Sequence, residues 1–310
     1  MAPEAEVLSI IAPATSANLG PGFDVLALAL DLSNEVLITR RPGPLQVQVE
    51  GEGAGEVPAD ASNLLCVALS EGIGDLDGLM IECRNRIPFG RGLGSSAAAV
   101  CAGLVAANAL GDLRWTPSDM LARAIAFEGH GDNAAACLEG GITALVPGPR
   151  ALRVAPPDGL ALVVVVPPGR VSTDEARSAM PARVPVADAA YTIGASAGLL
   201  LTLERGYVDE IPEFLTDRLH EPYRAALCPG IDALRALSMP GLLGVTISGS
   251  GPSMLMWVTP RAATDVAAAA RQALDAQGVQ AEVRVERIAP SGIRARWKGT
   301  EDARLSRTPG

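Results

Sequence analysis

Lysine is almost missing from this chain. Lys and Arg together number 25, and Lys298 is the single lysine among them. Any anion the protein binds must therefore be held by arginine, by the free amides of a helix N-terminus or by a metal ion. Aromatic residues make up only 3%. The core must rest on Ala, Val, Leu and Ile, and few rings remain on which bases could stack. Two histidines are present, and for His130 zinc would need more ligands than the chain offers nearby. Positive charge is in deficit, with a formal net charge of −10. A nucleic-acid partner is not expected without a basic footprint, and neither is an anionic membrane. An anionic ligand has to be caught by local donors against the average field.

Other signals are missing too. The five cysteines, Cys66, Cys83, Cys101, Cys137 and Cys228, form no CxxC pair, and their number is odd. Reduced thiols in a cytoplasmic protein are expected. The N-terminal MAPEAEVLSI is acidic and has no basic n-region, so no signal peptide is expected. Residues 92–111 carry no charge, but they are mostly alanine with Gly92, Gly94, Ser95, Ser96 and Asn108. That is too weakly apolar for a span and suits a helix buried on all sides.

What is present is the composition of a globular protein: 310 residues, 48% hydrophobic and 19% charged. VLSIIAP (7–13), LQVQVE (45–50) and IECRNRI (81–87) read as strands, the last two with a clean period of two. NLLCVALSEG (63–72), an Ala-rich stretch from about Ser96 to Ala109, and TPSDMLARAIAFEG (116–129) read as helices. Thr116 before Pro117 is a plausible cap. GITALV (141–146) closes the first half, and the turn-rich PGPR (147–150) and APPDG (155–159) bracket a boundary. ALVVVVPP (161–168) follows as a buried strand, then STDEAR (172–177) with a capping-box pattern and a long helix over 187–206. Strands at 242–248 and 253–258, a helix at 261–278 and a strand at 279–288 complete an order that suits a split βαβ, ferredoxin-like domain.

The chemistry gathers at GRGLGSSAAAV (90–100), which follows a strand and enters a helix. Gly90, Gly92 and Gly94 let backbone N–H groups turn towards a ligand, and Ser95 or Ser96 is expected to cap the helix. Such a helix end favours an anion. The stretch lacks the GxxxxGK[ST] of a Walker A loop and the third glycine of a dinucleotide fingerprint. By itself it also suits a loop that merely lets a helix pack closely.

PFGRGLGSSAA (88–98) resembles the ATP loop of the GHMP kinases, the superfamily of galactokinase, homoserine kinase, mevalonate kinase and phosphomevalonate kinase. VTISGSGPSMLMW (245–257) resembles the third, Gly-rich motif of that superfamily. PATSANLGPGFDVLALAL (13–30), EGHGDNAAACLEGG (128–141), STDEAR and LHEPYR (219–224) are similar to segments of the homoserine kinases in particular. The six matches come in the expected order over about 250 residues. The resemblance implies an α+β, two-domain GHMP kinase fold. Its N-terminal ATP-binding domain, similar to domain 2 of ribosomal protein S5, would cover 5–155. A ferredoxin-like C-terminal domain would cover 156–295, and 296–310 would be a loose tail.

The resemblance also implies roles. ATP would rest on Asn63, Pro88, Gly90, Arg91, Gly92, Leu93, Gly94, Ser95, Ser96, Ala97 and Ala98. Mg²⁺ would be held by Glu128 and a loop serine, Ser96 being preferred to Ser95. The substrate would be L-homoserine, an amino acid with a side-chain hydroxyl. Arg177 and Arg224 would take its carboxylate, since a guanidinium matches that shape with two hydrogen bonds. Asn18 and Asp24 would take the amine and hydroxyl end. His130, Asn133 and Gly249 would shape the pocket. Catalysis would rest on Asn18, Asp24, His130, Asn133 and Arg177, with Asp132 left aside. Homoserine kinases offer Asn133 where mevalonate-type relatives offer an aspartate base, so the hydroxyl proton is expected to leave late, towards the γ-phosphate. Two positions depart from the family pattern: Gly131 stands where proline is usual, and Phe89 where smaller residues are common. Neither removes a proposed ligand. A homodimer is compatible with all of this. The competing expectations are another small-molecule GHMP kinase and a non-catalytic relative that binds without turnover. A hydrolase with a nucleophile elbow is not expected.

Overall fold

A computed structural model describes residues 7–299. In chain order the elements are β1 (Val7–Ala17), β2 (Leu26–Arg40), β3 (Gln46–Gly51), α1 (Leu64–Ile73), β4 (Leu79–Asn85), α2 (Ser95–Gly111), α3 (Pro117–Glu128), α4 (Asp132–Glu139), β5 (Ile142–Val146), β6 (Arg150–Val154), β7 (Ala161–Val166), α5 (Thr173–Ser178), α6 (Val186–Arg205), α7 (Glu221–Arg224), α8 (Ile231–Arg235), β8 (Leu242–Ile247), β9 (Met254–Val258), α9 (Ala263–Ala276), β10 (Glu282–Glu286) and β11 (Arg294–Lys298).

The strands form two sheets. The first has seven strands, running β11-β1-β2-β4-β3 with the β5-β6 hairpin joined to β2. The second has four antiparallel strands in the order β10-β7-β9-β8. Numbered within its own half, that order is 4-1-3-2, the arrangement of a split βαβ, ferredoxin-like domain. β7 is buried along its whole length. Leu162, Val164 and Val166 face the main core, while Val163 and Val165 face a second core beneath α8 and α9. A strand covered on both faces needs no alternation, which is why ALVVVV reads as a continuous apolar run. The first half of β2 obeys the same rule. Leu26–Leu30 is buried at every residue, so periodicity gave no strand there.

α2 is the buried uncharged helix expected from 92–111, with Ala97, Ala98, Val100, Leu104 and Ala107 inside. Its start differs from expectation. Neither serine caps it. Gly94 is the N-cap in the left-handed region, and no side chain bonds the first turn. Thr116 caps α3 with a full capping box through Asp119. The apolar helix with the length for a membrane is instead α6, the one such helix among the described residues, and about a quarter of its apolar window is buried. The string GASAG (194–198) matches the spelling of a nucleophile elbow, but it lies mid-helix in α6 rather than at a strand-to-helix turn.

Two segments join the first sheet unexpectedly. PGPR makes the turn of the β5–β6 hairpin, which adds β6 to the first sheet. Residues 296–298, expected in the loose tail, belong to β11, which pairs antiparallel with β1. This short, mostly exposed strand alternates Arg294, Arg296 and Lys298 with Ala295 and Trp297, and Lys298 reaches Glu35 at 3.8 Å. The remainder of the tail call, residues 300–310, lies outside the described residues.

Candidate active site

The glycine-rich loop and the start of α2 form one wall of a cleft of 200 Å³. Gly94 takes φ 69°, and a Cβ there would overlap Thr15 Oγ1. Only glycine lets the loop come this close to β1. Thr15 in turn donates from Oγ1 to Asn133 Oδ1 at 2.8 Å, and its N–H bonds the Leu93 carbonyl. The first turn of α2 thus lines the cleft with Ser95, Ser96 and Ala97, at the end of the helix where the amides have no partner within the helix and the dipole is positive.

Opposite these amides, Ser96 Oγ donates to Glu128 Oε1 at 2.5 Å. A hydroxyl and a carboxylate side by side are hard oxygen donors. With phosphate oxygens and water they suit Mg²⁺, which commonly uses one or two carboxylates. No cluster of three or more His, Cys, Asp or Glu that could hold a metal occurs among the described residues. The five thiols are buried and form no disulfide, and burial pushes Cys66 up to about 11 and Cys83 up to about 12.

The far end of the cleft carries charge of both signs. Asp24 follows a loop in which Asn18, Leu19, Gly20 and Asp24 all have positive φ. Arg177 on α5 meets it with two hydrogen bonds of 3.0 Å each. Arg224, buried on α7, donates from Nε to the Ala176 carbonyl and from Nη1 to the Gly249 carbonyl. Gly249 O also accepts from Asn18 Nδ2 at 2.9 Å. One carbonyl between β8 and β9 therefore ties the β1–β2 loop to the helices bearing the arginines.

His130 and Asn133 complete the floor. His130 Nδ1 bonds Asp132 Oδ1 at 2.9 Å, and Asp132 also accepts the Asn133 N–H. The hydrogen bond with Asp132 is the largest influence on His130 and raises its pKa. Burial opposes it, and the charges of Asp132, Glu128 and Asp24 add to it. The fold therefore favours the charged imidazole. Its contribution to stability is full below the free value of about 6.5 and is lost as pH rises through the higher folded value. The two histidines give a direct check by NMR titration. His130 should titrate above an ordinary imidazole, and Asp132→Asn should bring it down. A His130 midpoint that ignores Asp132→Asn would refute this origin of the shift.

Asn18, Asp24, Gly90, Arg91, Gly92, Gly94, Ser95, Ser96, Ala97, Glu128, His130, Asn133, Arg177, Arg224 and Gly249 all line this one cleft. Four expected residues do not. Asn63 caps α1, accepting the Leu65 N–H, and with Ala98 lines a neighbouring cavity shared with Ser95, Ser96 and Phe89. Leu93 puts its side chain in the core, and Pro88 is buried. Asp132, set aside in the sequence, lines the cleft as well. Thr15 and Phe23, which touch lining residues from behind, were missed; both lie within the 13–30 motif, but nothing in the sequence shows which of its residues support the cleft.

Comparison with known proteins gives the family. The family model for the GHMP kinases N terminal domain matches residues 61–141, and the one for the GHMP kinases C terminal matches 200–276. A homoserine kinase of Streptomyces avermitilis is 42% identical over 299 residues, covering 88% of this chain and 95% of its own. The chain belongs to the homoserine kinase family. A homoserine kinase of Nostoc punctiforme is 38% identical over 286 residues, covering 89% of this chain and 94% of its own. Among solved structures, a homoserine kinase from Cytophaga hutchinsonii superposes with a TM-score of 0.84 at 30% identity, over 94% of this chain and 97% of that one. A galactokinase of Lactococcus lactis, at 13% identity and a TM-score of 0.69, shares the fold.

Proposed function

We propose that this cleft carries out phosphoryl transfer with its two ends divided between the substrates. The protein phosphorylates the side-chain hydroxyl of L-homoserine with ATP, giving O-phospho-L-homoserine and ADP, a step of threonine biosynthesis. The observation that supports this layout is the placing of the Ser96–Glu128 pair and the Asp24–Arg177 pair in one cleft. The loop at 90–96 and the first amides of α2 hold the ATP phosphates. Ser96 and Glu128 hold Mg²⁺, which when bound supplies neutralising charge on the phosphates. A zwitterionic amino acid matches the other end. Its carboxylate takes Arg177 and Arg224, and its ammonium takes Asp24.

Asn133 orients the hydroxyl rather than removing its proton, because an amide is no base at neutral pH and its Oδ1 is held by Thr15. The proton passes to a phosphate oxygen as the new O–P bond forms and the bond to ADP breaks. We take 5–155 as the nucleotide half and 156–295 as the partner half, with β11 returned to the first sheet. The same reading places the enzyme in the cytoplasm, without nucleic-acid or membrane partners. The exposed apolar residues Val186, Ile193 and Leu201 of α6 are the surface on which a second copy would be sought by light scattering.

A coupled ADP-release assay with MgATP tests the whole. L-homoserine should be turned over far faster than mevalonate, galactose or serine. Clear turnover of one of those without homoserine would overturn the substrate assignment, and no turnover of any would favour a binding protein.

A further inference from the structure

His220 is buried completely and lies outside the cleft, four residues before Arg224 in the LHEPYR segment, yet it touches the distant loop between β1 and β2. Its Nε2 lies 2.7 Å from the Gly20 carbonyl and 3.7 Å from Asp217 Oδ2. Both are acceptors, so Nε2 carries the proton and donates it. Nδ1 is buried and without a partner. A proton there would be an unsatisfied cationic donor, which costs far more than a bare lone pair. The ring is therefore neutral in the fold. Burial lowers its pKa, opposed by Asp217, the Gly20 bond and Asp24, while Arg224 adds to the lowering.

The contact falls on a loop that needs holding. Asn18, Leu19 and Asp24 are non-glycine residues at positive φ within seven positions. Such a conformation persists only where its surroundings over-determine it. Some of the bonds are internal: Asn18 N–H to Leu26 O, Gly22 N–H to Asn18 O, and Asp24 N–H to Asn18 Oδ1. The middle of the loop is tied from outside by His220. The imidazole also packs on Phe23, with ring centroids 5.2 Å apart. Phe23 in turn lies under both guanidiniums, 5.8 Å from Arg177 Cζ and 5.1 Å from Arg224 Cζ. His220 itself is fixed by Asp217, whose buried carboxylate accepts the N–H groups of Leu219, His220 and Glu221.

We propose that His220 is a positioning residue for homoserine, clamping the 18–24 loop and the Phe23 ring so that Asp24, Arg177 and Arg224 present one pre-formed site for a zwitterion. This rests on the assignment of Asp24 and the arginines to homoserine. His220 touches no reacting atom. Its loss should weaken homoserine binding and leave the nucleotide end alone.

Steady-state kinetics with each substrate varied in turn decides it. His220→Asn removes the donor from the Nε2 position, while His220→Gln returns an amide N–H close to it. His220→Asn should raise KM for homoserine about tenfold, the usual effect of one orphaned buried carbonyl, with KM for ATP nearly unchanged. His220→Gln should recover most of that loss. Equal behaviour of the two variants, or a parallel rise in both KM values, would overturn the clamp. Asp24→Asn is the control for the underlying assignment. If it leaves KM for homoserine unchanged, the site layout itself is wrong, whatever His220 does. Should His220→Asn fail to fold, nitrogen NMR of the wild-type enzyme keeps the test open. A neutral ring protonated at Nε2 is expected at neutral pH, and a charged ring or the Nδ1 tautomer would refute it.

Discussion

Glu128→Ala should turn over on the order of 10²-fold or more slowly than the wild type at saturating MgATP, because phosphoryl transfer depends on charge placed against the phosphates. Its fold should not suffer. Glu128 is the last residue of α3 and bonds the Ser96 hydroxyl. A carboxylate at a helix C-terminus faces the negative end of the dipole and is slightly unfavourable there, by tenths of a kcal/mol. Removing it should leave Tm unchanged or a little higher. A glutamate that costs the helix something and sits beside a hydroxyl at the opposite end of another helix dipole is placed for a ligand, not for stability. Glu128→Gln separates charge from shape. It should be almost as slow as the alanine variant, and both should need more Mg²⁺. An alanine variant of normal rate and normal Mg²⁺ dependence would remove Glu128 from the metal site.

Much of this site was legible in the sequence because its nucleotide end is local. Strand, glycines, serines and helix follow one another within about thirty residues, so spacing alone places amides at a helix end. The other end is built from chain segments roughly 150 to 230 residues apart. Asn18, Asp24, Arg177, Arg224 and Gly249 meet only in the fold, and resemblance rather than periodicity brought them together. The same limit explains the misses. Thr15 matters because a glycine lets α2 come within reach of it, and His220 because a distant loop bends to meet it. The first half of β2 stayed hidden because burial on both faces removes the alternation that marks a strand. The serine caps failed for a physical reason as well. A left-handed glycine starts α2, so the hydroxyls are left free for other partners, and Ser96 takes Glu128.

The pairing of Asp24 with Arg177 bears on how the amino-acid end works. The two side chains are 36% and 39% exposed. An ion pair this exposed adds at most about 1 kcal/mol to the fold. Their bonds to one another can therefore be exchanged for bonds to a zwitterion at little cost. On the proposed assignment, the ammonium would replace the guanidinium on Asp24, and the carboxylate would replace Asp24 on Arg177. On that assignment the arrangement would select for a ligand that carries both charges, and an alcohol with a carboxylate alone would leave Asp24 without a partner.

Arg177→Ala should accordingly hurt homoserine and spare ATP. A bound carboxylate that loses one charged, two-pronged donor typically loses about 2–3 kcal/mol. At 1.36 kcal/mol per factor of ten, that is roughly 30- to 150-fold in kcat/KM for homoserine. KM for ATP should move far less, since the phosphates rest on the loop at 90–96 and the first turn of α2. Tm should hardly change, given the exposure of the pair. Arg177→Lys should recover only part of the loss, because a point charge cannot make two parallel hydrogen bonds. Arg224 offers no full substitute, as its Nε and Nη1 are already committed to the Ala176 and Gly249 carbonyls. The measurement is steady-state kinetics with each substrate varied against saturating partner. If Arg177→Ala raises KM for ATP and leaves homoserine untouched, Arg177 is a phosphate ligand and the two ends of the cleft are the reverse of those assigned.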